Sequence, residues 1–163
     1  MNTIEITAED VPLPAQEERI IAFVDAVLRI LGKPHHELSI LLCTDEKIRE
    51  INATYRNKDE ATDVLSFSQD EDADDTNLAS GVSQQPHTQG EMPRLLGDIV
   101  LALPYLRRQA EEYKVSFESE FKRMLVHGML HLTGSHHDTE EQHRSMLERQ
   151  EAILQQLAQE YRF

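Results

Sequence analysis

Three histidines in the C-terminal third of the chain have the spacing of a metal site. His127, His131 and His137 lie within the segment HGMLHLTGSHH, and five of the eight histidines fall between His127 and His143. Neutral imidazole is a common zinc ligand, and two histidines four positions apart lie on one face of a helix. Three protein ligands leave one coordination position open, which is typical of catalytic zinc. We therefore predict one Zn²⁺ ion per chain, although nickel, copper or cobalt would also bind three imidazoles.

The residue after the first histidine distinguishes this segment from the helical zinc peptidase motif. HExxH carries at that position the glutamate that acts as base, whereas this chain has Gly128. A single pair of histidines at this spacing is often incidental, and it is the third histidine after a glycine turn that favours a metal. A zinc peptidase stays an alternative, but one without its usual base.

The histidine pair is predicted to lie on a central helix. Ser116 can cap its start, and Gly134 can end it and turn the chain back, so that His137 reaches the pair. Apolar residues at helical spacing should face the core; they are Phe121, Leu125, Met129 and Leu132.

The rest of the chain reads as alternating short strands and helices. The predicted strands are an N-terminal piece with Ile4 and Ile6, then 38–43, 64–67 and 99–103. The predicted helices cover 17–31, 45–55 after the cap Thr44, and a last helix after a capping box of Thr139 and Gln142. That last helix carries an apolar stripe, for core or dimer contact, of Met146, Leu147, Ile153, Leu154, Leu157 and Tyr161.

The length of 163 residues suits one domain over residues 1–163, and the composition indicates an acidic insertion at about 69–94. The insertion has almost nothing to bury, which predicts disorder rather than a specific acidic recognition loop. The formal net charge is −14, but residues 70–91 hold six acidic and no basic residues, so net charge does not exclude RNA. The single cysteine, Cys43, and the lack of a signal peptide or apolar span predict a soluble cytoplasmic protein.

Three segments carry a resemblance to a known family. HGMLHLTGSHHD resembles the HGxLHLxGxDH signature of the YbeY family, the bacterial endoribonucleases and rRNA maturation factors. INATYRNKDEATDVLSFS is similar to that family's NxxYRxKDxxTDVLSF segment, and LLGDIVLALP to its LGDIxI strand. The segments follow the family's order from about Leu38 to the C-terminus, apart from the insertion.

The resemblance implies an α+β fold in which the histidine helix packs on a small mixed sheet beside a cleft for single-stranded RNA. It implies zinc ligands at His127, His131 and His137, and an arginine near the metal at Arg56. The implied activity is hydrolysis of phosphodiester bonds in rRNA precursors, notably at the 3′ end of 16S rRNA, and ribosome quality control. The implied partners are the small ribosomal subunit and its assembly factors, with neither DNA nor a membrane.

The chain departs from the family pattern just before the third histidine. The family has an acidic residue there, commonly after an aromatic, whereas this chain has His136 and Ser135. His136, if neutral, or the adjacent Asp138 could act as the base, and His136 could even replace His137 as ligand. A non-catalytic ribosome-assembly factor that uses its metal for folding is the second alternative.

Overall fold

A four-stranded mixed sheet is the centre of the part of the chain that the structure describes. The computed structural model describes residues 2–69, 93–134 and 138–163. The strands are β1 (Thr3–Ala8), β2 (His36–Cys43), β3 (Val64–Ser68) and β4 (Arg94–Ala102). Their order is β1-β2-β4-β3; β1, β2 and β4 are parallel, and β3 is an antiparallel edge strand on β4. The predicted α+β class with a small mixed sheet is confirmed.

Five helices are described alongside the sheet, and three of them begin at the predicted caps. They are α1 (Glu17–Ile30), α2 (Asp45–Arg56), α3 (Leu103–Tyr113), α4 (Phe117–Leu132) and α5 (Glu140–Leu157). Thr44 Oγ1 accepts from the amide of Lys47 at 3.2 Å, and Ser116 Oγ accepts from the amide of Ser119 at 3.1 Å. Thr139 and Gln142 form the capping box of α5. These side chains satisfy amide groups that a helix leaves without partners at its start.

The two faces of the sheet are covered to different extents. On one, the sealed face, the alternate β2 residues Leu38, Ile40 and Leu42 join the main core with apolar residues of α1, α3, α4 and α5. On the other, the open face, Cys43 and Val100 pack beneath α2. The rest of the open face is a groove, toward which Glu5 and Thr7 of β1 project.

Several sequence expectations need correction. The sequence patterns predict no element between 103 and 116, yet α3 lies there, with Pro104 in its first turn, where a proline costs no hydrogen bond. The strand predicted at 99–103 begins earlier and ends at Ala102. Of the predicted insertion, residues 70–92 lie outside the described residues, whereas Arg94 already belongs to β4. Leu147, predicted in the apolar stripe, is instead 38% exposed.

A membrane span is not found among the described residues. No helix in the ranges 2–69, 93–134 and 138–163 combines the length and the apolar character that crossing a bilayer requires.

Candidate functional site

The histidine pair on α4 has the geometry of two ligands for one ion. His127 and His131 are one turn apart, and their Nε2 atoms face each other at 3.2 Å. Two zinc bonds of 2.0–2.1 Å at a tetrahedral angle would separate the two nitrogens by about 3.3 Å. The ring centres are 4.7 Å apart, and the ring planes are inclined by 70° to each other. The separation of the two nitrogens therefore matches that of two ligands on one tetrahedral cation.

A buried glutamine on α5 fixes the first of these histidines. Gln150 is 3% exposed, and its Oε1 lies 3.0 Å from His127 Nδ1, while its Nε2 donates to Glu151 Oε2 at 3.3 Å. An amide oxygen can only accept, so the proton of His127 belongs on Nδ1 and the lone pair on Nε2. The hydrogen bond therefore selects the tautomer that turns the lone pair of Nε2 toward His131.

The sequence interpretation missed Gln150, although a signal for it existed. Met146, Ile153 and Leu157 are buried at helical spacing on α5, and Gln150 occupies a position of the same stripe. A polar side chain at a core position needs a hydrogen-bonding partner, because burying it without one costs free energy. A glutamine in this apolar stripe therefore indicates a polar contact inside the fold.

An ion pair between α4 and α5 holds the neighbourhood of Gln150. Arg123 Nε and Nη2 donate to the two carboxylate oxygens of Glu151 at 3.0 and 2.8 Å. This hydrogen bonding lowers the pKa of Glu151 and raises that of Arg123. The arginine fork and the carboxylate match in geometry, so the pair joins α5 to α4 one turn before His127.

Gly128 faces the sheet and not the histidine pair. It is buried, and a Cβ placed on it would lie 3.1 Å from Ile99 Cδ1 and 3.2 Å from Ile99 Cγ2. A glutamate at this position, as in HExxH, would have to enter the contact between α4 and β4. Close packing of helix on sheet is therefore the physical reason for glycine here, and it leaves the peptidase alternative without a base on this helix.

Arg56 is held at the end of α2 against the edge strand β3. Its Nη2 donates to the carbonyl oxygen of Ser66 at 2.6 Å, and its guanidinium lies 5.2 Å from the ring centre of Phe67. The helix ends directly after it at Asn57, whose φ of 56° reverses the chain toward β3. The buried Asn52 supports this turn, because its Nδ2 donates to the Glu60 carbonyl at 2.9 Å.

Arg56 and His131 line one groove of about 940 Å³ on the open face. The two residues are distant in sequence and come from helices on different sides of the sheet. The groove also contains Lys47 on the α2 side and two acids, Glu5 and Asp98, on the strands. Positive charge is thus concentrated beside α2, and negative charge lies along the strands.

A family model described as Endoribonuclease YbeY matches residues 3–158. The chain belongs to the YbeY family. The resemblance predicted from the three sequence segments is thereby confirmed, and the match extends over the N-terminal strand and α1 as well.

Curated YbeY relatives match most of the chain. The Endoribonuclease YbeY of Bacillus cereus is 40% identical over 141 residues, which cover 82% of this chain and 85% of the relative. The proteins of the same name from Bacillus thuringiensis and Bacillus anthracis match with the same identity and coverage. The solution structure of TM1509 from Thermotoga maritima is 20% identical and superposes with a TM-score of 0.56 over 96% of this chain and 92% of that one. This last likeness shows a shared fold.

The remaining YbeY site residues are only partly described. His137 and His136 lie outside the described residues. Within 2–69, 93–134 and 138–163, no three His, Cys, Asp or Glu side chains gather as a metal site. Asp138 is exposed directly before the α5 cap and is not among the described residues that line the groove. The metal ligands and the base therefore stay predictions.

Cys43, the single cysteine, lies beneath α2 and outside the groove. It is fully buried, and burial is the main cause that raises its pKa to about 11. A neutral thiol is a poor nucleophile and a poor zinc ligand. Cys43 is thus a core residue.

Proposed function

We propose that this chain is a metal-dependent endoribonuclease that cleaves single-stranded RNA. The observation that carries the proposal is the facing pair of His127 and His131 nitrogens, 3.2 Å apart, of which His131 lines the same groove as Arg56. The curated relatives are named as endoribonucleases, which supports RNA as the substrate. Metal-assisted hydrolysis of a phosphodiester needs these parts: cation ligands, and a fixed positive group for the phosphate.

The residues present fit a zinc ion. His127 and His131 would hold it together with His137, and His136 is the alternative third ligand. When bound, zinc supplies Lewis acidity toward the phosphodiester group. Gln150 keeps the proton of His127 on Nδ1, so that Nε2 is available as a ligand without a tautomer change.

Arg56 has the position and the chemistry to hold a phosphate. Its hydrogen bond to the Ser66 carbonyl and its contact with Phe67 hold the guanidinium plane in place. The bond to Ser66 engages Nη2, and the guanidinium has five N–H donors in total, so others can donate to phosphate oxygens. A fixed charge of this kind also stabilises negative charge that develops on phosphate during cleavage.

The proposed biological substrate is precursor rRNA, notably the 3′ end of 16S rRNA. The proposed partners are the small ribosomal subunit and its assembly factors, and the proposed location is the cytoplasm. The family resemblance supports these assignments. For the base, His136 or Asp138 is proposed, since this chain lacks the acidic residue that the family carries before the third histidine.

Metal removal and a single ligand substitution test the proposal. Dialysis against a chelator should abolish cleavage of a single-stranded RNA oligonucleotide, and added zinc should restore it. His131→Ala should lower cleavage at least about 100-fold, because only two ligands remain. His35→Ala is the matched control, since His35 is exposed and does not line the groove.

Two outcomes would contradict the proposal. A His131→Ala protein that cleaves as fast as wild type would exclude a catalytic metal at this pair. A protein that unfolds without metal, and cleaves no RNA when fully loaded, would instead be a ribosome-assembly factor with a structural metal. Melting curves recorded with and without zinc separate these cases.

A further inference from the structure

Tyr55 is a large aromatic side chain that the fold leaves in solvent. It lies in the last turn of α2 and is 70% exposed, the largest exposure among the described large hydrophobic residues. Its ring meets Phe67 edge to face, with ring centres 5.5 Å apart and planes inclined by 61°. The contact orients the phenol ring but covers little of its surface. Burial does not account for an aromatic residue here.

Tyr55, Arg56 and Phe67 together form a corner of flat groups, which we call the aromatic corner. The Arg56 guanidinium lies 5.2 Å from the Phe67 ring centre and is tied to the Ser66 carbonyl. Phe67 is half-buried on β3 and packs at its inner side with the core beneath α2. Packing of Phe67 on the core therefore holds the aromatic corner in place, while the ring of Tyr55 stays exposed. Planar groups of this kind bind unpaired nucleobases by stacking, and arginine adds an electrostatic contribution.

The aromatic corner belongs to the same groove as His131. The groove volume of about 940 Å³ is far more than one metal ion and a phosphate require. Glu5 and Asp98 make its strand side repulsive to phosphates, whereas Arg56 makes the corner attractive. An RNA strand entering the groove would therefore place a phosphate near Arg56, and the attached base would meet the exposed ring of Tyr55.

The overall charge makes stacking more important for this chain than for a basic RNA-binding protein. With a formal net charge of −14, the molecule repels a polyanion at long range. Neutralising phosphates over a broad basic surface is the usual source of nucleic-acid affinity. Local contacts that do not depend on charge, such as base stacking, must supply a larger share here.

We propose that the aromatic corner is a stacking site for one unpaired nucleobase of the RNA, next to the phosphodiester that is cleaved. This inference rests on the proposed function, because it specifies how that substrate is held. Tyr55 acts as a binding residue, and Arg56 joins the base site to the phosphate.

Substitution of Tyr55 tests the stacking site. Tyr55→Leu should raise KM for a single-stranded RNA oligonucleotide roughly 5- to 150-fold, the range expected for loss of one stacked base. Tyr55→Phe keeps the ring and should behave as wild type. Tyr113→Leu is the matched control, because Tyr113 is 62% exposed at the end of α3 and does not line the groove.

A fluorescent base gives a second readout that does not depend on cleavage. Oligonucleotides carry 2-aminopurine at one position at a time, and emission is recorded on binding to excess protein, before any cleavage. Emission should change strongly at one position with wild type and Tyr55→Phe, and not with Tyr55→Leu. An oligonucleotide that is abasic at that position should bind wild type and Tyr55→Leu equally.

The outcomes separate the stacking site from the proposed function. If wild type cleaves RNA, but Tyr55→Leu has the KM and emission pattern of wild type, the stacking site is refuted and the endoribonuclease stands. If wild type cleaves nothing, the endoribonuclease is refuted, and the 2-aminopurine series alone decides whether a base stacks on Tyr55. An equal loss in Tyr113→Leu would also overturn the stacking site, since it would show a non-local effect. Melting curves and zinc content identify any variant that fails to fold.

Discussion

The sealed face and the open face of the sheet differ in how far their side chains are buried. On the sealed face, Leu38, Ile40 and Ile99 are at most 2% exposed beneath the helices. On the open face, α2 buries Cys43 and Val100, but the groove beside it exposes Glu5, Tyr55 and Arg56. Each fully buried aliphatic side chain contributes about 1.5–3 kcal/mol to stability. The sealed face therefore stabilises the fold, and the open face is left accessible for a ligand.

The histidine pair lies where these two regions meet. Gly128 and Leu132 of α4 contact β4 at Ile99 and Gly97, whereas His131 of the same helix lines the groove. One helix thus belongs to the core by one side and to the site by another. Substitutions on α4 should therefore change either stability or function, depending on which side of the helix they occupy.

The largest effect is expected from placing a glutamate on the packed side of α4. Gly128→Glu forces a charged side chain into the contact with Ile99, where a Cβ alone would lie 3.1 Å away. We expect a loss of about 3 kcal/mol or more in the free energy of unfolding, measured by urea denaturation. Ala152→Glu, on the exposed side of α5, should change stability by less than about 0.5 kcal/mol. A stable Gly128→Glu protein would show that this position does not face the sheet.

A second prediction concerns the hydrogen bond between Gln150, on the buried side of α5, and His127. Gln150→Leu removes the hydrogen bond to His127 Nδ1, and zinc affinity should fall about 10- to 100-fold in a chelator competition assay. Gln150→Glu keeps an acceptor and should retain most of the affinity. Gln155→Leu is the control, because Gln155 is exposed on the same helix. Unchanged zinc affinity in Gln150→Leu would show that the hydrogen bond from α5 does not affect zinc binding.

The smallest effect is expected from breaking the ion pair between Arg123 of α4 and Glu151 of α5. The hydrogen bond from Arg123 lowers the pKa of Glu151, so the pair stabilises the fold when Glu151 is ionised. Because Glu151 is about half exposed, Glu151→Gln should cost less than about 1 kcal/mol at neutral pH.

The pH dependence of this cost follows from the lowered pKa. The contribution is complete above the unfolded-state pKa of about 4.3 and is lost as the pH falls through the lower folded-state pKa. Urea denaturation of both proteins should therefore show a difference that is constant from about pH 5 to 7 and shrinks below about pH 4. A difference that grew toward acid pH would contradict the assigned pair.

Local signals predicted those parts of the fold that depend on a few neighbouring residues. The caps Thr44, Ser116 and Thr139 each satisfy an amide within three positions, so their helix starts could be located from sequence. The helix α3 was missed although Leu103, Leu106 and Ala110 are buried at helical spacing, because its apolar side is narrow and its first turn contains Pro104. Its existence depends on packing beside α4 more than on a strong local pattern.

Sequence patterns alone are enough to assign the family, the helix that carries the HxxxH pair and the candidate residues Arg56, His127 and His131. These follow from residue types at short, fixed spacings, which helical geometry converts directly into a shared face. The folded structure is needed to see that Gly128 packs on Ile99, that Gln150 orients His127, and that Arg56 and Tyr55 share a groove with His131. Those relations join segments that are distant in the chain, and side-chain packing between elements sets them, which no local spacing encodes.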